Sequence, residues 1–275
     1  MSDDLFSVRV VVVAALPGDR DLFRKAVAAV STPAEIIEAE SAEMAVRSLA
    51  TNVDLLLIDA ALGDQAIARM VAAARGATKP PFTVLLTEPK KTVGAFPTDA
   101  TATKPAQFLD AKRFLESVSR VRRTCRALVL DDSATMRSIV RKTLAATRFA
   151  FDVSEATQGG EAIELACNVD FDIVFVDYNL PGFSGLETMA EIRRLKRDPA
   201  FVLITSTQDP AVETRARSNG AAFLKKPFFP ADIEAILCNY YGLSALNPQR
   251  ASPPAKLVET GRAADGTCAG RARCP

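Results

Sequence analysis

Residues 171–185 read FDIVFVDYNLPGFSG, and the fold of the whole chain turns on how this stretch is read. Ile173, Val174, Phe175 and Val176 form an apolar run without polar alternation, the pattern of a strand covered on both faces, as in parallel α/β sheets. Asp177 ends the run. Asn179, Leu180, Pro181 and Gly182 then supply turn chemistry, and Ser184 is placed to cap a helix over 186–195. A carboxylate therefore stands where a buried strand opens into a loop, the edge at which open α/β sheets bind their ligands.

Outward from this stretch, strands and helices alternate in both directions. After it, 201–204 reads as a strand running into Thr205, 210–218 as a helix and 221–225 as a last strand before Lys226-Pro227. A helix over 231–240 closes the unit, with Gly242 as its C-cap. Before it, 126–130 is a strand ending in Asp131-Asp132, 133–146 an amphipathic helix, 151–154 a strand and 159–167 a helix. The first half repeats the pattern less cleanly. Strands are expected at 8–14, 35–39, 54–59 and 82–86, and helices after Leu16-Pro17-Gly18-Asp19, at 42–50 capped by Ser41, at 65–74 and at 107–123. Residues 89–102 have no defined pattern, so the fourth helix looks eroded.

Displacing the chain by 117 or 118 positions lays one half on the other: 11–27 on 128–144, 54–59 on 172–177 and Thr87 on Thr205, while Lys104-Pro105 answers to Lys226-Pro227. A repeat of that length means two copies of one domain. The expected fold is α/β, two flavodoxin-like (βα)5 doubly wound parallel sheets of strand order 2-1-3-4-5. The first would span 6–124 and the second 125–243. Residues 244–275, rich in Ala, Pro, Gly and Arg, bury too little apolar surface to fold alone and read as a disordered tail.

Composition narrows the function. Lys and Arg total 34 against 33 Asp and Glu, so no basic field draws the protein onto nucleic acid, and a protein partner or small ligand is expected. The N-terminal Met-Ser-Asp-Asp lacks the basic start of a signal peptide, and no apolar run approaches the roughly 18 residues of a membrane span. A cytoplasmic protein without membrane contact is expected. The five cysteines are scattered without a CxxC pair, which argues against a disulfide framework or a zinc site. There is no histidine, which excludes serine–histidine and cysteine–histidine catalysis and a phosphohistidine on this chain.

Chemistry-bearing residues of the second half fall at successive strand ends: Asp131 and Asp132, Asp177, Thr205, Lys226. With strand order 2-1-3-4-5 the first and third strands are neighbours, and the three aspartates converge. Three carboxylates in one cleft repel and call for a cation, and an oxygen-only set with room for water suits Mg2+. Lys226 and Thr205 would face whatever acidic group arrives. A carboxylate beside Mg2+, lysine and threonine is built to accept a phosphoryl group.

Asp131-Asp132, Asp177-Tyr178-Asn179-Leu180-Pro181 with Gly185, Thr205-Ser206 and Phe223-Leu224-Lys225-Lys226-Pro227 together resemble the receiver domain of two-component response regulators, in order, over 126–243. The resemblance implies that Asp177 is phosphorylated by a histidine kinase or histidine phosphotransfer protein. It also implies that Asp132, Asp177 and the main-chain carbonyl of Asn179 ligate Mg2+, with Asp131 acting through water. Thr205 and Lys226 would bind the phosphoryl oxygens, Phe223 would be the aromatic switch, and Lys226-Pro227 would be cis. Output would be altered binding of a downstream protein target. Read singly, Asp132 and Ser133 serve equally well as a helix cap, Phe223 as core, 228–230 as packing or an apolar patch, and Arg120, Arg122, Arg123 and Arg126 as a solvated helix end.

The first half keeps Asp59, Thr87 and Lys104-Pro105 but has Ala14-Ala15 in place of the acidic pair, Gly63 in place of the loop proline and Thr101 in place of the aromatic residue. It reads as a pseudo-receiver that offers an interaction or dimerisation surface, a homodimer included. The competing class is an aspartyl-nucleophile phosphohydrolase. Haloacid-dehalogenase-type enzymes carry D-x-D after the first strand, whereas the aspartates here are adjacent. Nucleotide or flavin binding on this fold lacks a GxGxxG loop.

Overall fold

The computed structural model of the chain describes residues 7–89, 94–195 and 198–244. The first half is built of β1 (Val8–Val13), α1 (Pro17–Val27), β2 (Ala34–Ala39), α2 (Ala42–Ser48), β3 (Leu55–Asp59), α3 (Asp64–Gly76), β4 (Phe82–Thr87), β5 (Ala100–Thr103) and α4 (Phe108–Val118). The second half follows with β6 (Cys125–Leu130), α5 (Ala134–Ala145), β7 (Phe151–Ala156), α6 (Gly159–Asn168) and β8 (Ile173–Asp177). It ends with α7 (Gly185–Arg194), β9 (Ala200–Thr205), α8 (Pro210–Ser218), β10 (Ala221–Lys225) and α9 (Pro230–Tyr240).

Each half is a five-stranded parallel sheet. The orders are β2-β1-β3-β4-β5 and, from the corresponding edge, β7-β6-β8-β9-β10, which is 2-1-3-4-5 twice. Every residue of β3 and of β8 is buried, which is why neither strand alternates. Register brings the strand ends together: Leu130 lies opposite Val176, and Asp177 opposite Ile204. The switch point therefore lies between β6 and β8, where the acidic residues emerge.

Two expectations for the first half need correction. The pattern for 107–123 predicts one long helix, but α4 stops at Val118 and a 3-10 turn, Ser119–Arg122, continues the chain. Val118 and Val121 are both buried, and a 3-10 turn eclipses residues three apart, so the tighter winding keeps both on the core side. The second correction is β5, whose first three residues, Ala100 to Ala102, lie in the stretch without a defined pattern. Its sequence, Ala-Thr-Ala-Thr, offers no large side chain, yet Ala100 and Ala102 are buried in the core. No helix joins β4 to β5 among the described residues; 90–93 lie outside them.

The halves share one apolar core. Val10, Leu57 and Val84 of the first sheet belong to the same packed cluster as Val129, Phe175 and Val202 of the second, together with Val121, Cys125, Phe149, Tyr241 and Leu243. Phe82 of β4 meets Phe149 at 5.8 Å between ring centroids, and Phe149 stacks on Tyr241 at 4.9 Å. Arg148 bonds Asp99 of the first half and Glu234 of α9. Ser244, expected to open the tail, instead exchanges two main-chain hydrogen bonds with Thr101 on the edge of β5. The rest of the tail, 245–275, lies outside the described residues. Arg120, Arg122, Arg123 and Arg126 at the joint are all exposed, and three of them also make a contact: Arg122 pairs with Asp54 at 3.7 Å, Arg123 donates to the Thr32 hydroxyl, and Arg120 lies over the Tyr240 ring. No described helix is long and apolar enough to cross a membrane.

Candidate functional site

Each side chain of the site is set by the local fold that ends a strand. Asp131 follows β6, and its Oδ1 accepts from the Ser133 N–H at 2.9 Å, which bends the chain toward α5; the Ser133 hydroxyl in turn caps that helix by accepting from Met136. Asp177 is the last residue of β8. The loop beyond it turns through Gly182 at φ +83°, and Ser184 and Glu187 form a capping box that starts α7. The Gly185 N–H donates to the Tyr178 carbonyl, and a Cβ at Gly185 would collide with the Asp177 carbonyl oxygen. Gly185→Ala is accordingly expected to cost about 2 kcal/mol, since backbone overpacking outweighs the gain in helix propensity. Urea unfolding of the variant checks this, and a loss indistinguishable from zero would remove the close-approach argument.

The geometry brings Asp131, Asp132 and Asp177 together, one carboxylate oxygen of each lying within 4.8 Å of the others. Asp131 and Asp177 are buried and Asp132 is exposed, so the cluster opens to solvent on one side. Lys226 reaches across from the end of β10, donating to Asp131 Oδ2 at 2.9 Å and to Asp177 Oδ1 at 3.1 Å. Its own N–H is tied to the Thr205 carbonyl, which aligns the ends of β9 and β10. Thr205 is fully buried, and its hydroxyl accepts from the Thr207 N–H. Asn179 is exposed in the loop after Asp177. Phe223 is half-buried against the core on the α7–α8 side of the sheet, opposite Leu203 in register, and Lys226-Pro227 is cis. Phe228 packs partly against the core while Phe229 is 67% exposed, so the apolar stretch divides between packing and surface.

Burial pushes the Asp177 carboxyl above the ordinary carboxylate range, with Lys226 pulling it back and Asp131 and Asp132 adding to the rise. For Lys226 burial acts downward, but the hydrogen bonds to Asp131 and Asp177 outweigh it and the ammonium holds its proton above the usual lysine range. The three carboxylates carry more negative charge than one lysine offsets. An all-oxygen set with one open side fits a hard divalent cation.

In the first half Ala14 and Ala15 stand at the strand end, Asp59 is buried, and Lys104 donates to Asp59 Oδ2 at 2.7 Å. Its second partner is Asp19, at 2.6 Å, from the first turn of α1. Asp19 reads in the sequence only as part of a turn; an acid one helical turn beyond a missing acidic pair was the available signal. This half thus shares one lysine between two carboxylates and lacks the third carboxylate of the second half's cluster.

An open parallel sheet with an acidic cluster at its switch point, a lysine across it and a threonine beside it defines a receiver-type domain. The chain belongs to the response regulator receiver family, whose domain model matches residues 127–237. Over 114 residues it is 35% identical to the chemotaxis protein CheY1 of Helicobacter pylori, covering 40% of this chain and 91% of that protein. It is 36% identical to the chemotaxis protein CheY homolog of Campylobacter jejuni over 120 residues, 42% of this chain and 91% of that one. A solved structure described as a probable two-component system response regulator/GGDEF domain protein covers 85% of this chain and 98% of its own, at 20% identity and a TM-score of 0.51, a likeness of fold across both halves. The protein is therefore a two-component response regulator with two tandem domains of the receiver fold, and its second half is a receiver capable of aspartate phosphorylation and metal coordination.

Proposed function

We propose that residues 125–243 are a phosphorylatable receiver and residues 6–124 a degenerate one, in a cytoplasmic phosphorelay. Asp177 accepts the phosphoryl group from a histidine kinase or histidine phosphotransfer protein. A carboxylate oxygen forms the new bond to phosphorus as the bond to the donor imidazole breaks, and the electron pair leaves with that nitrogen. Asp132, Asp177 and the Asn179 main-chain carbonyl are the residues to hold Mg2+, with Asp131 assisting through water. When bound, that ion supplies positive charge against the phosphoryl oxygens. Lys226 releases its hold on Asp177 and turns to the phosphoryl oxygens, and the Thr205 hydroxyl donates to another.

The added charge, roughly −1.5 to −2, then favours a rearrangement of Thr205 and Phe223. The result is read by a downstream protein target through altered binding, without direct contact to nucleic acid. The observation that carries this reading is Lys226 bonded to both Asp131 and Asp177 within a three-carboxylate cluster. The first half, whose Asp59 is held by Lys104 and which lacks the acidic pair, contributes a fixed surface for protein contact, self-association included, and takes no phosphoryl group.

The test is intact mass after incubation with acetyl phosphate and Mg2+. Wild type and Asp59→Asn are expected to gain one phosphoryl group, and Asp177→Asn none. Equal uptake by Asp177→Asn, or uptake lost in Asp59→Asn, contradicts the assignment.

A further inference from the structure

Arg137 makes no contact with the carboxylates of the cluster, yet its guanidinium holds the backbone that carries two of them. Nη1 donates to the Asp131 carbonyl at 2.9 Å and reaches the Asp132 carbonyl at 3.4 Å, while Nε donates to Glu155 on β7 at 2.9 Å. Glu155 is steadied in turn by Arg141, 3.5 Å away on the next turn of α5. The Arg137 side chain is only 13% exposed, so its planar fork is held by α5, the end of β6 and β7 together.

The first half repeats this contact where the chemistry has gone. Arg20 lies 117 positions earlier, and its Nη1 donates to the carbonyls of Ala14, at 2.6 Å, and Ala15, at 2.9 Å. Glu40 stands 3.6 Å from the same guanidinium. The acidic pair has been replaced by alanines, but the arginine and its two carbonyl bonds remain. The bonds therefore do not depend on the acidic side chains; they set the path of the backbone where the first strand hands over to the first helix. Only in the second half does that backbone carry cation ligands.

The geometry points to Arg137 as the positioning residue of the acidic pair: by fixing the Asp131 and Asp132 carbonyls it aims both carboxylates at Asp177 and thereby sets the affinity for the divalent cation. This rests on the phosphoacceptor reading above and adds a residue to it. Groups that orient ligands in this way are typically worth about 10- to 100-fold in metal affinity.

Full-length wild type, Arg137→Ala, Arg137→Lys and Arg20→Ala are titrated with Mg2+ by calorimetry, and their urea stability and phosphoryl uptake from acetyl phosphate are measured alongside. Arg137→Ala is expected to bind Mg2+ about tenfold more weakly and to take up phosphoryl groups more slowly. Arg137→Lys falls between, because one ammonium cannot serve both carbonyls and Glu155. Arg20→Ala loses stability but keeps wild-type Mg2+ affinity. Should Arg137→Ala fail to fold, Arg137→Lys decides by the same criterion. Lowered stability with Mg2+ affinity indistinguishable from wild type would overturn the positioning role. A wild-type protein that neither binds Mg2+ nor gains mass overturns the underlying phosphoacceptor reading instead.

Discussion

Lys104→Met is expected to destabilise the protein by about 3 kcal/mol, and Mg2+ is expected not to restore it. The ammonium of Lys104 lies between Asp19 and Asp59, with side-chain exposures of 13% for the lysine and 4% for Asp59. Removing it leaves two carboxylates facing each other, one of them buried, which costs more than the pair itself contributed. Burial acts to lower the Lys104 pKa, but the hydrogen bonds it donates to Asp19 and Asp59 outweigh it and the net shift is upward. A lysine with a raised folded pKa contributes fully below its unfolded value, so the loss is complete at neutral pH. In wild type the same contribution disappears only as pH rises through the raised lysine pKa. Lys226→Met is expected to lose a similar amount in chelator, because Asp131 and Asp177 are orphaned in the same way. There the third carboxylate, Asp132, makes a cluster capable of holding a divalent cation, and Mg2+ at ten times its dissociation constant is expected to return about 1.4 kcal/mol. Urea unfolding of both variants, with chelator and with Mg2+, separates the two sites. Rescue of Lys104→Met by Mg2+ would show that the first half still holds a metal.

That contrast also marks where the sequence is legible. Asp177 and Thr205 end a strand and Asp131 and Lys226 directly follow one, and a strand end is a local feature marked by an apolar run and a turn, so their convergence follows once the strand order is known. Asp19 and Arg137 act from the first turn of a helix, where an acid reads as a dipole partner and an arginine as a solvated residue. Their bonds reach across the sheet edge to residues distant in sequence or to main-chain carbonyls, which no periodicity reports. The repeat does hold a trace of the arginine, since Arg20 and Arg137 fall on each other under the same displacement that aligns the strands, whereas Asp19 falls on Met136. β5 was invisible for a different reason. An edge strand of alanine and threonine carries no hydrophobic signal, and its place is fixed by pairing to β4 on one side and to Ser244 on the other.

The joint between the halves was the least legible feature, and it yields the second large effect. Phe149→Ala is expected to cost about 3–5 kcal/mol. Phe149 is buried, in ring contact with both Phe82 of the first half and Tyr241 of the second. Truncation removes a full aromatic ring that touches Phe82 on β4 of the first half and Tyr241 at the C-terminal end of α9 in the second, so neither half can fill the space without shifting that strand or that helix. Part of the remaining contact is polar: Arg148 bonds Asp99 and Glu234, and Ser244 pairs with Thr101. Pairs of that kind at partly exposed sites contribute about 1 kcal/mol or less each, too little to compensate. Because the lost ring joins the halves, the effect should fall on their coupling as well as on total stability. Wild type is expected to unfold in one calorimetric transition, as a continuous core requires, and Phe149→Ala in two. Phe171→Ala serves as the comparison, since Phe171 packs within the second half alone; it should lower stability without separating the transitions. A single transition in Phe149→Ala, with a loss no greater than that of an exposed-site substitution, would mean that the aromatic stack does not bind the two receivers into one folding unit.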